Sequence, residues 1–130
     1  MTTLTAVLFA AALWASAALA SSEPATTTPA STPAAYRYYV ACGLAQSAKP
    51  SHRCPKRREK GAFFRSNLAG VFYTVCVRFP TGKHLCAKPQ KAEQGTLYVN
   101  KITSNIPGKH RVTWFVAHRR VGVFYFTVLG

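Results

Sequence analysis

Residues 71–79 alternate between two classes of side chain with a period of two. One face carries Val71, Tyr73, Val75, Val77 and Phe79, and the other carries Phe72, Thr74, Cys76 and Arg78. Such alternation is the signature of a half-buried β-strand. A second strand-like run, residues 84–87, follows a Pro/Gly turn at residues 80–83. The two runs therefore predict a β-hairpin.

The four cysteines constrain the fold further, because they can form two disulfides in three different pairings. In a hairpin centred near Thr81, Cys76 and Cys86 lie directly opposite, at a Cα separation of about 4.5–5.5 Å that a disulfide can span. We therefore favour Cys76 with Cys86, which leaves Cys42 with Cys54. The alternative is a metal site, but zinc ligands usually come in close pairs such as Cys-x-x-Cys. The sequence has no such pair, so we predict neither a metal nor a cofactor.

Further strands are predicted at residues 36–42, 61–65 and 96–102, each rich in aromatic or branched side chains and bounded by Gly or Pro. Two more, at residues 110–116 and 121–128, flank a polar turn centred near His118 and Arg119. That turn predicts the facing pairs Val116–Val121, Trp114–Val123 and Val112–Tyr125. No long segment shows helical periodicity. Six to eight short strands predict an all-β sandwich or small barrel.

The C-terminal run resembles a known family. Its residues Gly108-x-His110-x-Val112-Thr113-Trp114-Phe115-Val116 and then, after a turn, Val121-Gly122-Val123-Phe124-x-Phe126 resemble the last hairpin of small exported bacterial immunoglobulin-like sandwich domains. The resemblance implies a small immunoglobulin-like antiparallel β-sandwich that acts as a non-catalytic binding or adhesion module. Antibody-type domains place the core Trp between the bridged cysteines, whereas Trp114 follows all four.

The N-terminal region predicts export. Residues 4–20 are apolar and uncharged and end in Ala18-Leu19-Ala20, as in a cleavable signal peptide over residues 1–20. A membrane anchor is the alternative, since about 20 apolar residues cross a bilayer. Residues 21–35 consist almost entirely of Ser, Thr, Pro and Ala, which predicts a disordered linker. Residues 36–130 then form the folded domain, and the protein is expected to be secreted or in the cell envelope.

Charge is the strongest compositional signal in this domain. All 17 Lys and Arg lie between Arg37 and Arg120, against only Glu59 and Glu93 in the same span. A dense basic cluster gives six candidate polyanion-binding residues: Lys49, Arg53, Lys56, Arg57, Arg58 and Lys60. A solvated loop that serves solubility is the alternative interpretation. We expect all four histidines to be surface or loop residues.

These observations leave two hypotheses for function. Glycosidase and triad chemistry need suitably placed acids, and the domain offers only two glutamates, so we predict no enzyme activity. The first hypothesis is an exported immunoglobulin-like module that binds an anionic polymer, an envelope component or a protein partner. The second is a secreted cationic effector that acts by charge on membranes or polyanions. Export argues against an intracellular nucleic acid as partner.

Overall fold

The computed structural model describes residues 34–130, and every regular element among them is a β-strand. In chain order the strands are β1 Tyr36–Ala41, β2 Arg53–Cys54, β3 Lys60–Ser66, β4 Val71–Arg78, β5 His84–Cys86, β6 Gln90–Ala92, β7 Leu97–Ile102, β8 Gly108–Val116 and β9 Arg119–Val128. The predicted signal peptide and most of the predicted linker lie outside the described residues. Within residues 34–130 no helix could cross a membrane.

The strands form two sheets. A three-stranded antiparallel sheet has the order β1-β3-β7, and a six-stranded sheet has the order β2-β9-β8-β4-β5, with β6 also paired to β4. In an immunoglobulin sandwich, strands A, B and E share one sheet, and C, F and G the other, with C′ added beside C in variable-type domains. Here β1, β3 and β7 take the first set of positions, β4, β8 and β9 the second, and β5 the C′ edge. The predicted all-β, immunoglobulin-like sandwich is confirmed.

The strand predictions agree with the structure for the seven longer or hairpin strands, whose observed bounds differ from the predicted ones by a few residues at most. Two short strands were not predicted. The first, β2, makes a two-residue parallel contact with β9. The second, β6, pairs with the first three residues of β4. Two or three residues are too few to show alternation, so the sequence carried no signal for either strand.

Both disulfides have the pairing that the sequence favoured. Cys76 and Cys86 are register partners on β4 and β5, with Cα atoms 4.0 Å apart. Cys42 and Cys54 are bonded across 12 residues of sequence, with Cα atoms 5.4 Å apart. The second bond fastens the end of β1 to β2 and, through the pairing of β2 with β9, to the six-stranded sheet.

Aromatic rings join the two sheets in the core. The fully buried Trp114 of β8 lies 5.2 Å, centroid to centroid, from the ring of Tyr38 on β1. Phe64 of β3 stacks on Tyr73 of β4 at 4.2 Å. Because each pair has one member in each sheet, these contacts hold the sheets face to face.

The predicted register of the last hairpin is wrong. The observed partners are Val116–Arg119, Trp114–Gly122 and Val112–Phe124, with a bulge between Trp114 and Phe115. The two loop residues are Ala117 and His118, with φ of 49° and 63°, so the turn has the type I′ geometry that usually selects Asn and Gly.

Packing against the other sheet explains the observed register. An added Cβ on Gly122 would lie 2.3–2.5 Å from three atoms of the Tyr38 ring. The residue opposite Trp114 must therefore be glycine, because any side chain there would displace that ring.

Candidate functional site

Five of the six predicted polyanion-binding residues are exposed: Lys49, Arg53, Lys56, Arg57 and Arg58. Arg53 lies in β2, and the last three form the turn between β2 and β3. The turn is closed by a hydrogen bond of 3.2 Å from the backbone N–H of Arg58 to the carbonyl of Pro55. The structure therefore presents this basic cluster as an ordered turn on the surface.

Lys60 does not belong with these exposed cations. Its side chain is 1% exposed, and Nζ donates to the carbonyls of Lys56, Arg58 and Ser104 at 3.2, 2.8 and 2.9 Å. An ammonium has three donors, and all three are used within the protein. Lys60 therefore holds the basic turn in place from beneath and has no donor left for an external anion.

His110 is also buried, contrary to the expectation that all histidines lie at the surface. Its Nδ1 donates to the carbonyl of Gly108 at 3.0 Å, so Nε2 of the neutral ring accepts from Ser104 Oγ at 2.7 Å. Burial lowers the pKa of His110, and the nearby positive charge of Lys60 lowers it further, against the hydrogen bond to Gly108, which raises it.

This Ser104–His110 pair does not resemble a catalytic dyad. His110 is fully buried, and Ser104 is 7% exposed. A carbonyl occupies the place that the triad carboxylate takes in hydrolases. The pair acts as a structural contact between β8 and the segment that follows β7.

Cys76, Cys86 and His84 have their potential ligand atoms within 4.8 Å of one another. Metal coordination by cysteine requires the thiolate, and both sulfurs are bonded to each other. In the oxidised protein this group therefore offers His84 alone as a ligand.

A second cationic surface, which the sequence did not predict, lies on the outer face of the six-stranded sheet. His84, Arg78, Arg111 and Tyr125 are successive register partners on β5, β4, β8 and β9. We call these four residues the cationic row, after the two arginines at its centre. The neighbouring residues on β4 and β8, Val77 and Val112, are also paired and pack into the core, so the cationic row faces outward.

Neighbouring side chains shape this surface. The Lys109 ammonium lies 4.6 Å above the centroid of the Tyr125 ring, within the range of a cation–π contact. A concavity of about 270 Å³ is lined by Arg78, Pro80, Lys109, Arg111 and Tyr125, among others. Three members of the cationic row, Arg78, Arg111 and Tyr125, thus border one shallow depression together with Lys109.

The far end of the same face is apolar. Phe72 is 57% exposed and lines a second concavity, of about 390 Å³, with Thr74 and Phe115. On β4 alone, Phe72 and Arg78 are six residues apart, or about 20 Å along an extended strand. The outer face is therefore cationic at one end and aromatic at the other.

Comparisons with known proteins identify no family for this chain. No family model and no curated protein matches it. Among solved structures, an immunoglobulin-like protein from Pseudomonas aeruginosa superposes with a TM-score of 0.49 at 16% identity, over 72% of this chain and 90% of that one. The alkylpurine DNA glycosylase AlkC of Pseudomonas fluorescens, bound to DNA containing an abasic site analog, superposes with a TM-score of 0.40 at 15% identity, over 75% of this chain and 31% of that one.

Proposed function

We propose that this protein is an exported, non-catalytic, immunoglobulin-like binding module whose partner is an anionic polymer of the cell envelope or extracellular space. The observation that carries the proposal is the imbalance of charge on the surface. Fifteen of the 17 Lys and Arg are exposed, and the described residues contain only two glutamates. A field of this kind raises the local concentration of anions and speeds their encounter.

The location outside the cytoplasm is supported by the covalent structure. All four cysteines of the chain are bonded in two disulfides, and disulfides form and persist in oxidising compartments. The predicted signal peptide supports the same location. Export also favours a surface or extracellular polymer over an intracellular one.

Salt dependence of binding tests the proposal. The purified oxidised domain is offered an immobilised sulfated polysaccharide, an immobilised polyphosphate and neutral dextran as control, over 50–500 mM NaCl. Binding to the two polyanions should weaken linearly on a log–log plot, because each contact releases condensed counterions. Equal retention on dextran, or no binding to either polyanion at 50 mM salt, would contradict the proposal.

The second candidate is a cationic effector that acts on membranes. It is favoured by exposed apolar side chains, namely Leu68, Phe72 and Leu85, at 48–57% exposure, which lie on the same strongly basic molecule. Release of dye from anionic vesicles at micromolar protein, with no release from zwitterionic vesicles, would support it. A binding module should bind polyanions without releasing dye.

A further inference from the structure

The cationic row places two positive charges, those of Arg78 and Arg111, on directly paired strand positions. Arg78 and Arg111 are register partners on β4 and β8, and side chains at such positions have Cβ atoms about 4.5–5.5 Å apart. Like charges directly opposite each other in a sheet are destabilising, so this pair lowers the stability of the folded protein.

Neither glutamate of the described residues compensates that charge. Glu59 forms an ion pair of 3.2 Å with Lys101 of β7, in the other sheet. Glu93 follows β6, which pairs with the start of β4, and the seven residue-to-residue steps from Val71 to Arg78 span about 23 Å. The cationic row therefore has no anionic partner in residues 34–130.

Arg111 is held in the surface rather than free in solvent. Its Nε atom is shielded from solvent and has no hydrogen-bond acceptor within the described part of the chain, and the residue as a whole is half-buried. A partly desolvated guanidinium interacts more strongly with an anion than a fully hydrated one, because the local dielectric constant is lower. Its planar fork also matches the oxygens of a phosphate or sulfate group.

We infer that the cationic row is the anion site of this module, and that Arg78 and Arg111 together bind one phosphate or sulfate ester group of the polymer. The depression beside the cationic row, about 270 Å³ in volume, has room for such a group. Lys109, fixed over Tyr125, contributes a third positive charge at its border. The inference rests on the proposed function and assigns the binding to the sheet face in place of the basic turn at residues 53–58.

Two double variants of equal charge test the assignment. Arg78→Gln/Arg111→Gln alters the cationic row, and Arg57→Gln/Arg58→Gln alters the exposed basic turn. At 150 mM salt we expect the first to weaken polyphosphate or sulfated-polysaccharide binding by tenfold or more, and the second by less than threefold. Equal losses, or a larger loss from the turn variant, would overturn the inference while leaving the proposed function intact.

The single variant Arg78→Gln guards against misfolding of the double variant. Because it relieves repulsion between neighbouring cations, its melting temperature should equal or exceed that of the wild type, and its polymer binding should still fall. Unchanged binding by a folded Arg78→Gln protein would count against the site.

Titration with inorganic phosphate or sulfate tests the site without any polymer. Amide chemical shifts should move at residues 77–79, 110–112 and 124–126. Shifts confined to residues 53–58, or none at all, would overturn the inference. If the wild type binds no polymer, the proposed function is wrong. The titration with phosphate or sulfate then still tests whether the anion site exists. A preference for phosphatidylglycerol vesicles over both soluble polymers would overturn the assignment to a polymer.

Discussion

Replacing Lys60 with methionine removes the ammonium that fastens the basic turn to the sandwich. Methionine retains most of the aliphatic length, so the change isolates the loss of three charge-assisted hydrogen bonds, to Lys56, Arg58 and Ser104. Each such bond contributes about 1.5–3 kcal/mol net. The carbonyls of the turn can be rehydrated, since Lys56 and Arg58 are exposed.

The Ser104 carbonyl accounts for the part of the loss that water cannot recover. Its bond to Lys60 is buried, and an unsatisfied buried acceptor costs about 1–3 kcal/mol. Removing the desolvated charge offsets some of this loss. The Lys60→Met variant should therefore lose about 3 kcal/mol of unfolding free energy, which lowers the melting temperature of a domain this size by roughly 12–24 °C.

Urea unfolding of the oxidised protein, followed by tryptophan fluorescence, measures this loss. Lys101→Met is the matched control, because it removes the same charge from an exposed ion pair whose partners are 53% and 59% exposed, and such pairs contribute at most about 1 kcal/mol. Hydrogen exchange should accelerate in the turn at residues 55–59. A loss below about 1 kcal/mol for Lys60→Met, or equal losses for both variants, would refute the assigned role of Lys60.

Three further changes probe the fold by denaturant unfolding. Gly122→Ala should cost about 1–3 kcal/mol through overpacking against Tyr38. Gly43→Ala should cost far less, because its added Cβ would make an ordinary 3.7 Å contact with Ala48 Cβ; similar losses would contradict the packing argument. Replacing both cysteines of the Cys42–Cys54 disulfide with serine should cost about 2–3 kcal/mol, and a neutral effect would show that this loop is constrained by other contacts. The fold lowers the pKa of His110, so the unfolded chain binds a proton at this residue at a higher pH than the folded protein does. The free energy of unfolding should therefore fall as the pH drops below about 6.5, by up to about 1.4 kcal/mol per pH unit. The variant His110→Gln should flatten that slope.

Local sequence signals predicted the strands well where the pattern was long enough. The alternation over residues 71–79 located β4, and the spacing of Cys76 and Cys86 around a Pro/Gly turn gave their register and their bond. Both inferences depend on neighbours within about ten residues, a distance over which hairpin geometry is nearly fixed. The prediction of the last hairpin's register failed because the position of Gly122 is set by packing against Tyr38, which lies 84 residues away in the other sheet.

The candidate site was harder to predict for the same physical reason. The cationic row exists because β4 pairs with β8, and Arg78 and Arg111 are 33 positions apart in the sequence. The intervening chain crosses to the other sheet and back through β7. In β4, Arg78 is the single basic residue. In β8, Arg111 follows Lys109 and His110, but that short basic run is less dense than residues 53–60 and does not show that it faces Arg78.

Cations of this domain differ in what balances their charge, and that difference decides which can bind a ligand. The ammonium of Lys60 is satisfied by three carbonyls inside the protein, and Lys101 is paired with Glu59. The turn residues Lys56, Arg57 and Arg58 are exposed, where water solvates each charge at little cost. Arg78 is exposed as well, but strand register pairs it with the half-buried Arg111, so an incoming anion both gains their attraction and removes their repulsion. We therefore expect binding energy to be concentrated on the sheet face, although the sequence concentrates its charge in the turn.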